Sequence, residues 1–147
     1  MSLYPCNAVA VALQFFYPSL MVEMFATSVA AMVDANIQEL SRMGFGLSLD
    51  DYGTGYSNLA RLMKLPFDIV KLDKTLADGL DDPALAAMIT STVDVMHDTG
   101  VKVLIEGVET EDQAKRLIEM GVDYIQGYYY ARPMPQDAFL AFLAQHN

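Results

Sequence analysis

The sequence predicts an α/β fold with a parallel sheet buried on both faces, and three observations carry that reading. Short, near-continuous apolar runs alternate with segments of helical periodicity from Ala26 onward. Polar and charged residues collect at the carboxyl ends of four successive runs, at Asp50 and Asp51, Lys71 and Asp73, Glu106, and Gln126. TIM barrels and doubly wound sheets both build their sites at those ends. No Gly-x-Gly-x-x-Gly follows any run, which counts against the dinucleotide-binding member of that pair.

The elements follow in order. Residues 3–33 carry one charge, Glu23, and are broken by Pro5 and Pro18. The apolar segment between the prolines is too short to span a bilayer, and no basic residue precedes it as in a secretory signal. A buried strand is expected around Ala8 to Phe16. Val29, Met32, Val33, Ile37, Leu40 and Met43 recur at helical spacing, and Gly44 supplies a stop. Phe45 to Leu49 reads as a strand, and a short helix near Ser57 to Met63 leads to the strand Asp68 to Leu72. The region from Pro83 to Thr99 places Leu85, Met88, Ile89, Val93 and Met96 on one helical face before Gly100. Val101 to Ile105 reads as another short strand. Thr110-Glu-Asp-Gln113 is a capping box for a helix to Met120. Tyr124 to Gln126 is a strand, and Pro135 to Ala144 closes as a helix. The chain shows no linker, low-complexity tract or internal repeat.

Composition narrows the function. A chain of 147 residues is one domain's worth, with enough apolar content for a core. Its net charge of -10 argues against a DNA or RNA polymer, or an anionic membrane surface, as partner. Bound metal ions could still reverse that sign locally for a phosphate ester. The lone Cys6 cannot form an internal disulfide, which fits a reducing cytosol and a cytoplasmic location. The ten methionines are expected in the core.

The polar strand ends hold the chemistry. Asp50 and Asp51 follow a buried run, where paired carboxylates repel unless a cation sits close by. A hard divalent ion such as Mg2+ or Mn2+ would supply it; an Asx-turn before Gly53 is the other reading. Lys71 lies within an apolar run beside Asp73. It either reaches the surface or holds a water or phosphoryl oxygen next to a metal. Glu106 suits a metal ligand, a general base or a helix cap, and Glu109 suits a cap better. Gln126 before Gly127 is a turn former or a ligand contact. His97 and His146 stand in no metal-ligand spacing, and no Gly-x-Ser-x-Gly occurs. Oxygen-rich, metal-assisted chemistry is the enzymatic class that remains.

Four blocks of the sequence resemble the signatures of the EAL domain, a family of bacterial cyclic di-GMP phosphodiesterases with a modified TIM barrel. They are Asp50-Asp-Tyr-Gly-Thr-Gly-Tyr-Ser57, Lys71-Leu-Asp73, Ile105-Glu-Gly-Val-Glu-Thr110 and Gln126-Gly-Tyr128. Their order and spacing match over roughly residues 20–147. The resemblance implies that Asp50 and Asp51 ligate two Mg2+ or Mn2+ ions, that Lys71 orients the hydrolytic water, and that Glu106 is a metal-site carboxylate or base. It implies that Asp73, Glu109 and Gln126 help to hold substrate and metal site. Gly53, Thr54 and Gly55 would form the mobile loop that couples dimerisation to the metals.

The chain also departs from the family pattern. The expected architecture is a partial barrel, about five of eight parallel strands with helices outside. Residues 1–19 form a poorly matched apolar segment and residues 20–147 the C-terminal portion of the domain. The Glu-Ala-Leu strand and the strand with the metal-binding asparagine are not found. Of the usual Glu-x-Thr-Glu motif only Glu23 is present: a gapped alignment, preferred here, makes it a metal ligand, and an ungapped one makes it the partner of the loop. The expectation is therefore a truncated, catalytically impaired phosphodiesterase fragment. The alternative is a non-catalytic module that binds cyclic di-GMP or a protein partner. Open sheet edges imply self-association.

Overall fold

The computed structural model describes residues 20–22, 30–53 and 63–146. The strand expected at Ala8 to Phe16 and the helix expected near Ser57 lie outside them, as do Glu23, Thr54 and Gly55. Five strands, β1 (Leu20–Val22), β2 (Leu47–Tyr52), β3 (Ile69–Leu72), β4 (Lys102–Ile105) and β5 (Tyr124–Ile125), form one sheet in sequential order. Every neighbouring pair is parallel. The helices are α1 (Ala30–Arg42), α2 (Lys74–Asp78), α3 (Pro83–Asp98), α4 (Glu111–Glu119) and α5 (Gln136–His146). The predicted α/β class holds, and the described residues supply five parallel strands. Strands taken in sequence order are the arrangement of a barrel wall, whereas a doubly wound sheet reverses its order.

Burial on both faces explains why the strands read as unbroken apolar runs. Val70, Lys71 and Leu72 are buried consecutively, as are Val103, Leu104 and Ile105. Ile37, Ile89, Val93, Met96 and Leu117 of the helices pack with Val70, Leu72, Val103 and Ile105 into one core. Burying each such side chain contributes about 1.5–3 kcal/mol. The methionines divide: Met96 is buried, but Met43 and Met63 are exposed.

Helix ends feed strands through one repeated bond. After α1, α3 and α4 the amides of Phe45, Val101 and Val122 donate to the carbonyls of Leu40, Met96 and Leu117, five residues back. This closure satisfies terminal helix carbonyls and turns an apolar residue into the next strand. Asp82 caps α3 through the amide of Ala84, and the predicted Thr110–Gln113 capping box opens α4. The five-residue helix α2 has no counterpart among the expected elements; Asp73 caps it.

Carboxylates also fasten the amino ends of the strands, a role that no local pattern in the sequence assigns. Asp68, just before β3, accepts the amide of Leu47 at 2.7 Å. Asp123, just before β5, accepts the amide of Val103 at 2.8 Å, and also bonds Lys102 Nζ and His97 Nε2.

Candidate functional site

The acidic pair lies inside β2 rather than after it, since the strand continues to Tyr52. Leu49 pairs with Val70, yet Tyr52 pairs with Leu72, so β2 carries one residue more than β3 across this interval. That is a β-bulge, and Asp51 takes it up with φ of 54°. A regular strand would send successive side chains to opposite faces. The bulge releases Asp50 and Asp51 from that alternation. Aspartate tolerates left-handed backbone better than most residues, which suits the residue type at position 51.

Lys71 does not reach the surface; 8% of its side chain is exposed. It sits on β3 between the two strands whose ends carry acids, and it joins them. Its Nζ is 3.0 Å from Asp50 Oδ1 of β2 and makes a short ion pair with Glu106 Oε1 after β4. Burial works against the ammonium, but hydrogen bonds to Glu106 and Asp50 outweigh it and raise the pKa above the ordinary lysine value. Lys71 is therefore a permanent cation and a hydrogen-bond donor at neutral pH, not a base.

The other predicted residues lie close to this trio in the chain but hold different partners. Asp73 Oδ1 accepts the amide of Thr75 at 2.9 Å and its hydroxyl at 2.6 Å, and these bonds lower its pKa. Glu109 is not a helix cap: its amide donates to Gln113 Oε1, while its carboxylate pairs with Lys74 Nζ at 2.6 Å. Gln126 is half-buried, its backbone bonded to Ile105 on one side and to Val108 on the other. Gly53 follows Tyr52 at a φ of 106°, over Leu76 of α2. Sequence patterning misses Lys74, because nothing local connects residues 35 positions apart. It also misses Tyr52, whose phenol pKa is raised by burial.

Carboxylate oxygens of Asp50 and Glu106 both meet the Lys71 ammonium, and hard oxygen donors of this kind suit Mg2+, Mn2+ or Ca2+. The donor type fits such an ion. Among the described residues, however, no group of three acidic, histidine or cysteine side chains surrounds one point. Further ligands would come from Asp51, from water, and from Glu23.

A sequential parallel sheet with acids and a buried lysine at adjacent carboxyl ends is a barrel-type wall that gathers its polar groups at one end. The chain belongs to the EAL domain family, which matches residues 6–133. It is 39% identical over 142 residues to the cyclic di-GMP phosphodiesterase RocR of Pseudomonas aeruginosa, covering 92% of this chain and 36% of RocR. An EAL domain protein of Listeria monocytogenes superposes with a TM-score of 0.76 at 37% identity, covering 93% of this chain and 57% of that one. BlrP1 of Klebsiella pneumoniae, with manganese and cyclic di-GMP bound, superposes at 0.66 with 31% identity, over 77% of this chain and 30% of BlrP1. A calcium complex of BlrP1 superposes equally well. The chain thus spans about a third of RocR and just over half of the Listeria chain. No helix among the described residues is long and apolar enough to cross a membrane.

Proposed function

We propose that this chain supplies the C-terminal part of a metal-dependent phosphodiesterase domain that opens cyclic di-GMP to the linear dinucleotide. The observation that carries the reading is Lys71 held between Asp50 and Glu106 on three adjacent strand ends. Asp50, Asp51 and Glu23 would hold Mg2+ or Mn2+. Bound divalent cations polarise a phosphodiester and lower the pKa of an attacking water.

The chain's own groups have separable tasks. Lys71 donates a hydrogen bond to the hydrolytic water and fixes its approach. Glu106, which also bonds the ammonium, accepts the water's proton as the new P–O bond forms and one ester P–O bond breaks, the leaving ribose oxygen taking a proton from solvent. Asp73, Glu109 and Gln126 hold the dinucleotide across the strand ends. The Gly53-Thr54-Gly55 segment, next in sequence after the acidic pair, would couple dimerisation to the metal site. A cytoplasmic location and self-association through the domain's exposed surfaces belong to the same reading.

A second reading rests on the convergence of only two carboxylates among the described residues. It is a domain that binds the dinucleotide without hydrolysing it, or hydrolyses it slowly as the isolated chain. Turnover of cyclic di-GMP with Mn2+, beside calorimetric titration of the same ligand, separates the two. Turnover abolished by Asp50→Ala supports the enzyme; binding without turnover supports the module; neither sinks both.

A further inference from the structure

Lys74 is the first residue of α2 and directly follows Asp73. Its ammonium reaches Glu109 across the segment that carries Glu106. On the way its methylene stem crosses Gly107 so closely that a Cβ there would stand 2.3 Å from Lys74 Cγ. Gly107 also has a φ of 72°, a backbone state that side chains resist. Two independent features of Gly107 therefore make room for one lysine.

The flanking bonds show what this crossing fixes. Glu106 is tied by its amide to Leu72, Val108 to Gln126, and Glu109 to Gln113. Backbone ties of this kind leave the Glu109 side chain to find its own place, and Lys74 supplies it. Arg132, stacked 4.5 Å over the ring of Tyr128, acts on Glu109 at longer range, while Tyr128 acts on Lys74. The loops after β3, β4 and β5 thus meet around the Lys74–Glu109 pair.

The geometry points to Lys74 as a positioning residue that holds the Glu109 carboxylate in place for substrate. This rests on the phosphodiesterase reading above. Lysine does this through both its charge and its stem. Methionine keeps most of the stem and no charge, whereas arginine keeps both.

The test compares Lys74→Arg, Lys74→Met and Gly107→Ala in the intact protein. The readouts are kcat and KM for cyclic di-GMP with Mn2+, affinity for cyclic di-GMP with metal chelated, and amide exchange at Val108 and Glu109. In Lys74→Met, KM and Kd are expected to rise about fivefold, the upper range for a half-exposed ion pair. Its kcat should stay within about twofold and its Tm should not move, a split that separates positioning from loss of stability. Exchange at Val108 and Glu109 should quicken. Lys74→Arg should restore all three readouts, and Gly107→Ala should reproduce the rise in KM and Kd while also lowering Tm, because its φ strains alanine. Wild-type KM, Kd and exchange in Lys74→Met, with Asp50→Ala still inactive, would overturn the inference and leave the phosphodiesterase reading standing. If the unmodified protein neither binds nor hydrolyses the dinucleotide, that reading fails instead. Exchange then decides alone: quickened exchange supports the positioning role and unchanged exchange ends it.

Discussion

Lys71 Nζ lies 3.0 Å from Asp50 Oδ1, with 8% and 14% of the two side chains exposed. Glu106, following β4, bonds the same ammonium. One buried cation therefore stands between two carboxylates, and its removal leaves like charges facing each other in a poorly solvated place. Breaking a buried pair from one side costs about 3–5 kcal/mol.

Lys71→Met should consequently lose both stability and activity, the latter by about a hundredfold or more if the ammonium orients the water. Its response to metal is the sharper test. With the ammonium gone, a divalent cation is the remaining partner for Asp50 and Glu106. Mn2+ should therefore raise the Tm of Lys71→Met by more than it raises that of the unmodified protein. Equal shifts in thermal melts would show that the two carboxylates do not face a common cation.

Asp51 offers a different separation, between backbone comfort and chemistry. At φ of 54° it occupies a conformation that costs an ordinary L-residue about 1–2 kcal/mol, and aspartate somewhat less. Asp51→Gly should be more stable than Asp51→Ala by about 1 kcal/mol, since both lose the same side chain and only alanine is strained at this φ. Both should lose cyclic di-GMP turnover if the carboxylate is a ligand. Urea unfolding reads the first effect and turnover the second. An active Asp51→Gly would remove Asp51 from the metal site.

The carboxyl-end residues are legible in the sequence because a parallel sheet buried on both faces leaves its strand ends as the place for polar groups. Asp50, Lys71 and Glu106 all stand out that way, and the structure brings these three together. How they meet is not legible. The bulge at Asp51 is a register difference between two strands, and no single strand's pattern records register. The pattern therefore ends the strand at Leu49, three residues short of Tyr52. Lys71 stays ambiguous in the sequence because its two partners are distant along the chain. Glu109 suggests a cap because Thr110 and Gln113 follow it, and they do form the box. Helix α2, at five residues, is shorter than any periodicity can reveal.

Gly127 packs against Val108 so closely that a Cβ would come within 1.9 Å of the Val108 carbonyl oxygen and 2.4 Å of its nitrogen. Those are backbone atoms that also bond Gln126 and Tyr129, so neither side can yield cheaply. Gly127→Ala should destabilise by about 3 kcal/mol, the upper range for overpacking. It should also depress turnover, because Gln126 and the Glu106 segment share this seam. A melt within about 1 °C of the unmodified protein would contradict the close approach.

Asp123 predicts how the fold responds to acid. Burial pushes its carboxyl up, but hydrogen bonds from Lys102, from the amide of Val103 and from His97 outweigh that and leave its pKa below the ordinary value. A group whose pKa is lower folded than unfolded contributes stability above the unfolded pKa, near 3.9 for aspartate, and loses it as pH falls through the folded value. Asp123→Asn keeps an acceptor for Val103 but loses the ion pair to Lys102 and the charge beside His97. At pH 7 the variant should be less stable by about 1–3 kcal/mol, the range for bonds to a charged group. The difference should persist down to about pH 4 and close below it as the native carboxyl protonates. Urea midpoints at pH 7, 5 and 3 would trace it. Because Asp123 stands at the amino ends of the strands, opposite Lys71 and Glu106, turnover per folded molecule at pH 7 should not change. A gap that widens toward pH 3 would mean that the folded pKa lies above the unfolded one, and that its partners do not hold the carboxylate ionised.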